Sequence, residues 1–280
     1  MKRWSATLLV LAVCSAVVHA DVTIVQKTTV EGGAAAAMGG AMASPTMTSR
    51  IKGSKGRVDV DLGNPNIPTN MSTITDAASK QVILLDHNQK TARVSTGVAP
   101  EAAAPQQTPA ANVKVDAAVN PTGRTQTIDG LKCDEYSFTT SMDISNMGGA
   151  QMPPEVAAAM QGMRIVMQGS LWVTKDAPGV DEYRAYQRAM ASAELVGAAI
   201  GATGATMPGM DKLAKAMTSV DGLPVLTEMN MNMEGGTGPQ AEMMRQAMSG
   251  MKVVTKILSV KTDTIADDVF AVPTDYQVIK

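Results

Sequence analysis

Met229, Met231 and Met233 alternate with Asn230 and Asn232 in the stretch LTEMNMNMEGG, residues 226–236. Alternate residues of an extended strand share a face, so this spacing aligns the three thioethers. Thioether sulfur is a soft ligand that favours Cu(I), and an exported protein meets copper without competing cytosolic thiols. The same side chains also serve as flexible apolar filler for pockets and irregular cores. Met160, Met163 and Met167 have approximate helical spacing and raise the same two alternatives. Methionine also crowds Gly/Ala-rich stretches where no site is expected, so a general use of Met as apolar bulk accounts for both places. Core packing or pocket lining is the leading expectation, with no cofactor, and copper on Met229, Met231 and Met233 is the alternative.

Other chemistry finds less support. A Ser/His/Asp triad would have to use His87, which sits at LDHNQK, a hairpin-turn pattern, and no G-x-S-x-G elbow accompanies it. No Walker loop is present, nor a G-x-G-x-x-G after a strand. Asp267 with Asp268, and Asp59 with Asp61, are carboxylate pairs whose close spacing in edge-like segments reads as solvated faces. The expectation is a protein that is not an enzyme.

The elements that must position these residues begin behind an export signal. Lys2 and Arg3 precede an apolar run from Leu8 to Val13, and small residues end at Val18-His19-Ala20. This pattern predicts a signal peptide over residues 1–20, cleaved after Ala20, and a periplasmic protein that is not integral to the membrane. Losing Lys2 and Arg3 leaves 22 basic and 26 acidic residues, a formal charge of -4. That balance argues against nucleic acid or an anionic membrane as the main partner. Cys133 and His87 are then the only cysteine and histidine. An intramolecular disulfide and zinc sites built from several Cys or His ligands are excluded, and Cys133 reads as a small buried hydrophobe.

Residues 21–280 suit one domain with insertions near 31–45, 98–112 and 146–163, rich in Ala, Gly, Pro or Met. The first two read as exposed, mobile loops; the third carries a short helix from about Pro154. TSRIKG and KGRVDVDLG flank a Gly53-Ser54 turn and predict a hairpin. STITD and KQVILLD predict another, and Val82-Ile83-Leu84-Leu85 reads as a strand covered on both sides. KTARVS, RTQTI, LKCDEYSF, MRIVMQGSLWVT, PVLTEMNMNM, MKVVTKILSVKT and YQVIK continue the strand series. Helical stripes run from Tyr183, Tyr186 and Met190 to Ile200 behind an Asp181 N-cap, and through Met210, Leu213 and Met217. Thr237 and Gln240 suggest a capping box before Met243, Met244 and Met248. Strands first and helices late predict an antiparallel α+β domain.

RIKGSKGRVDV, TDAASKQVILLDHNQKTARV, IDGLKCDEYSF, GSLWVTKDAPGVDEYRAYQRA, DGLPVLTEM and SVKTDTIADDVFAVPTDYQVIK occur in that order. The series resembles a family of exported bacterial proteins known only as a domain of unknown function, itself similar in pattern to the lipoprotein carriers of the outer membrane. The matching positions include Gly53, Arg57, Asp59, Asp76, Asp86, Gly130, Cys133, Tyr136, Trp172, Pro178, Phe270 and Tyr276. The resemblance implies a curved antiparallel sheet, an unclosed barrel, with helices across its concave face. It implies a pocket for a lipid, lipoprotein or other hydrophobic partner, although shared fold alone does not carry function. Met229, Met231 and Met233 would line that pocket, and Tyr183, Tyr186, Met190, Met210, Leu213 and Met217 would form its lid. A structural interaction module filled by its own side chains is the remaining alternative.

Overall fold

The structure, a computed structural model, describes residues 20–32, 44–62, 71–96, 115–145, 160–191, 216 and 220–279. Alternating sequence produces strands in nearly every predicted place: β1 (Val22–Glu31), β2 (Thr46–Lys52), β3 (Lys55–Asp61), β4 (Met71–Asp76), β5 (Gln81–Asp86) and β6 (Thr91–Thr96). After them come β7 (Val115–Ile128), β8 (Leu131–Asp143), β9 (Arg164–Thr174), β10 (Leu223–Glu234), β11 (Met251–Lys261) and β12 (Gln277–Ile279). All twelve join one unclosed sheet in the order β12-β6-β5-β4-β3-β2-β1-β11-β10-β9-β8-β7. Two antiparallel meanders, β1 to β6 and β7 to β11, are thus seamed by β1 against β11. β12 alone pairs in parallel, with β6.

The α+β expectation is overturned, because the described chain is mostly strand. Its α-helices of more than one turn are α1 (Val180–Met190) and α2 (Pro239–Met248), each a short insertion between sequential strands. Both pack on the same side of the sheet, the helix face, and neither runs across it. α1 lies against Val22, Ile24 and Ile51 at one end of the strands. α2 packs Ala241 and Met248 against Met142 and Met233 at the other end. The helical caps also differ from expectation. Gly179, not Asp181, is the N-cap of α1, and Asp181 occupies the first turn. Gly238 caps α2 without a side-chain bond, so Thr237 and Gln240 form no box. The predicted signal peptide up to His19, most of all three insertions with the short helix expected from Pro154, the stripe beyond Ala191 to Ile200, and Met210, Leu213 and Met217 lie outside the described residues.

Side chains alternate between two partly covered faces. On the helix face, Val22, Ile24 and Ile51 meet Ala177, Val180, Leu223 and Ile257. The Tyr186 ring of α1 lies directly against Gly56: a methyl there would overlap it, and its hydroxyl bonds Thr75. The opposite face buries Ile74, Ile83, Leu85 and Ala92 under Ile265 and Phe270, from the segment after β11. Val82 packs toward Met190, so β5 is covered on both sides, as its unbroken apolar run suggests. Met160 and Met163, at the end of the third insertion, are core residues beside Met142, and Met167 lies on β9, not on a helix.

Candidate functional site

Register, more than sequence spacing, assembles the methionines. Met229, Met231 and Met233 do share the helix face of β10, as their alternation requires. Met231 stands between Met251 on β11 and Met167 on β9, while Met229 stands between Val253 and Gly169. A cross-strand row of three thioethers therefore replaces the linear triplet. Met233 is different: it is buried among Met142, Met163 and Ala241 and belongs to the core beneath α2. Across the seam the same face continues through Thr28 on β1, and Met47, Val60 and Met71 pair in succession on β2, β3 and β4. Met229, Met231, Met251, Val253, Met47 and Val60 are all half-buried, and Met71 is exposed. The floor between the two helices is methionine-rich, broken at the seam by the hydrogen-bonded Thr28 and Thr255 hydroxyls, and not fully covered.

The lid residues divide. Tyr183 and Tyr186 pack against the core at Val22 and Ile51, and Met190 packs near Val82. Burial pushes the Tyr183 phenol up to about 12, against the opposing effect of the Gln187 hydrogen bond. Burial likewise raises the Tyr186 phenol, although its bond to Thr75 works the other way. These rings fasten α1 to the sheet at the end remote from Met233. Glu182, buried in the first turn, accepts the Gly53 N–H at 2.6 Å and ties α1 to the β2–β3 turn.

The opposite face carries a polar chain that sequence reasoning missed. Asp59 on β3 faces Thr48 on β2 and Ser72 on β4, so hairpin register brings them together. The Asp59 carboxylate accepts from Ser72, from Arg57 Nε at 2.8 Å and from Arg50. Ser72 Oγ lies 2.6 Å from His87 Nε2, and His87 Nδ1 lies 2.5 Å from the Tyr276 hydroxyl. A cavity of about 500 Å³ opens beside this chain, lined by Thr46, Thr48, Asp59, Asp61, Ser72 and His87 together with Val60 and Met71. Burial raises the Asp59 carboxyl, but the Ser72 and Arg57 hydrogen bonds and the charges of Arg57 and Arg50 outweigh it. The net effect holds the group below its ordinary range.

The proton order in this chain decides its chemistry. An ionised carboxylate only accepts, so Ser72 donates to Asp59. Ser72 Oγ then accepts from His87 Nε2–H and from Arg57 Nη2 at 3.2 Å, and in a neutral imidazole Nδ1 is left to accept from Tyr276. A nucleophilic serine needs the reverse, a hydroxyl donating to an unprotonated imidazole nitrogen. The chain is instead arranged as a clasp. It joins the β5–β6 turn to the C-terminal segment, and Lys90 adds an ion pair to Asp275 at 2.8 Å. Asp59, expected on a solvated face, is a half-buried hub because β4 covers its flank. Among the described residues no group of three or more His, Cys, Asp or Glu is placed to hold a metal. Also among them, no helix is long and apolar enough to cross a membrane.

Residues 36–151 match the family described as a domain of unknown function (DUF4412), a range that takes in β2 to β8. No curated protein matches the chain. Among solved structures, an uncharacterized conserved protein from Thermus thermophilus is 9% identical, with 94% of this chain and 91% of that chain covered and a TM-score of 0.37. PNGF-II in a C2 crystal is 10% identical over 92% of this chain but 30% of its own, with a TM-score of 0.35. PNGF-II in a P21 crystal is 9% identical over 93% and 31%, with a TM-score of 0.36. This chain therefore spans under a third of PNGF-II, and likenesses at these scores carry no argument. The family match supports an uncharacterised domain family over residues 36–151.

Proposed function

We propose that this is a non-enzymatic envelope protein that seats an apolar ligand, a lipid or the acyl chain of a lipoprotein, on the helix face between α1 and α2. The observation that carries the reading is the set of half-buried Met229, Met231, Met251 and Val253 on one side of the β1–β11 seam and Met47 and Val60 on the other, all on the helix face. Thioether side chains change rotamer at little cost, so such a floor accepts chains of varied shape. The resemblance in segment order to an uncharacterised family of exported proteins, itself similar in pattern to the lipoprotein carriers, and the signal-like N-terminus favour an exported carrier. Met231→Asp would place a carboxylate in the centre of the floor. Binding of a fluorescent fatty-acyl probe is expected to weaken at least roughly tenfold, since an unpaired charge is poorly tolerated in apolar surroundings. Met243→Asp on the exposed side of α2 should leave it unchanged. Equal binding by Met231→Asp and the native protein would refute the assignment.

One observation favours a second reading, soft-metal sequestration: Met167, Met231 and Met251 are cross-strand neighbours. Directly opposed residues have Cβ atoms about 4.5–5.5 Å apart, within reach of a shared Cu(I). Native mass spectrometry with Cu(I) separates the readings. Metal uptake lost on Met167→Leu with Met251→Leu supports sequestration, whereas a lipid-mass adduct unaffected by copper supports the apolar seat.

A further inference from the structure

On the face opposite the helices, Thr46 and Thr48 of β2 are half-buried and line the cavity of about 500 Å³ beside Asp59. Neither hydroxyl has a hydrogen-bond partner among the described residues. Antiparallel register sets each of them against a carboxylate on β3: Thr46 faces Asp61, and Thr48 faces Asp59. Directly opposed residues have Cβ atoms about 4.5–5.5 Å apart, and positions two residues apart repeat along a strand at about 7 Å. The lining therefore holds two rungs, each a hydroxyl beside a carboxylate. Ser72 and His87, already engaged in the clasp, border them, and Val60 and Met71 complete the lining.

This lining selects its occupant by hydrogen bonding. A carboxylate only accepts, whereas a threonine hydroxyl both donates and accepts. Each rung thus offers what a ligand hydroxyl needs, an acceptor for its proton and a donor for its oxygen. Asp59 Oδ1 accepts from Ser72 and Arg57, while Oδ2 accepts from Arg50 and keeps a lone pair to offer. Two rungs call for several hydroxyls on one molecule. Charge points the same way. An ammonium group would compete with two guanidinium groups for Asp59, and an anion would face Asp59 and Asp61. Lys27, opposite Thr46 on β1, is exposed and lies outside the lining. The volume is that of a small-molecule site, for which roughly 300–1,000 Å³ is usual.

We infer that this cavity binds a neutral saccharide, whose hydroxyls donate to Asp59 and Asp61 and accept from Thr46 and Thr48. Its polar groups lie on the face of the sheet opposite the apolar seat, so the two assignments are independent.

The test is calorimetric titration of the full chain with maltose, cellobiose and N,N′-diacetylchitobiose, and with glucose against glucosamine and glucuronate. At least one disaccharide should bind, and glucose should bind more tightly than either charged analogue. Thr46→Val combined with Thr48→Val keeps the branched shape and should weaken the disaccharide roughly tenfold or more. Asp61→Ala, at an exposed side chain, should weaken it as well and serves if the double variant does not fold. Thr139→Val, on the same face but exposed on β8, and Met231→Asp should leave it unchanged. Failure of all three disaccharides to bind, or unchanged binding by the threonine and Asp61 variants, overturns the site. Tighter binding of glucosamine or glucuronate than of glucose overturns the neutral ligand.

Discussion

Asp59 gathers a serine hydroxyl and two guanidinium groups onto one half-buried carboxylate, and its protonation should be felt in stability. The folded group ionises below its ordinary value of 3.8, so the unfolded chain takes up the proton first as pH falls. Its contribution is complete above about pH 4 and is lost as pH falls through the folded value. Urea midpoints measured from pH 6 to pH 2 should therefore decline less steeply in Asp59→Asn than in the native chain. His87 acts next along the same chain. His87→Ala removes the link between Ser72 and Tyr276 and is expected to cost about 1–2 kcal/mol. Hydrogen exchange should quicken at Gln277–Ile279, and unchanged protection there would mean that the clasp does not hold β12. Little of this was legible beforehand. The turn holding His87 is plain in LDHNQK, but its Tyr276 partner is 189 positions away, and no local pattern encodes that meeting.

Strands were legible because alternation of apolar and polar residues is a local signal, and Gly53, at φ 57, supplies the turn that sets the β2–β3 register. Helices were less so. α1 ends at Met190 with Ala191 as its C-cap, an end the sequence does not mark because small apolar Ala191 prolongs the stripe begun at Tyr183. The fit of α1 against Gly56 is a register effect that spacing could not disclose. Gly56→Ala is expected to cost about 1–3 kcal/mol by displacing the Tyr186 ring, and much less in a Tyr186→Ala background. Thermal melts of the four proteins measure that coupling. On the opposite face, Glu135 is buried and held by Thr122 and Arg124, with the guanidinium 5.8 Å from the Trp172 ring centroid. Burial raises the Glu135 carboxyl, and the Thr122 and Arg124 bonds more than reverse it. Arg124→Ala should destabilise by about 1–3 kcal/mol, read from the urea midpoint, because the carboxylate loses its charged donor. The exposure of Arg124 keeps the figure below that of a fully buried pair.

At the scale of the whole molecule, the sheet is drawn from both ends of the chain. β1 pairs with β11 in mid-sheet, and the segment after β11 returns to cover Ile74, Ile83 and Leu85 before β12 joins β6. Hairpins within each meander form between near neighbours, whereas the seam must close across more than two hundred residues, so it is expected to form late. That same arrangement makes the protein divisible. A break in the backbone between residues 96 and 115 would leave each meander whole and sever none of the described strand pairings. The two pieces, made separately, would each carry an unsatisfied strand edge and one half of a buried contact that only the other can complete. Mixed together, they would behave as a pair of subunits whose interface is a continuous sheet, and what is now an intramolecular fold would become an affinity that depends on concentration.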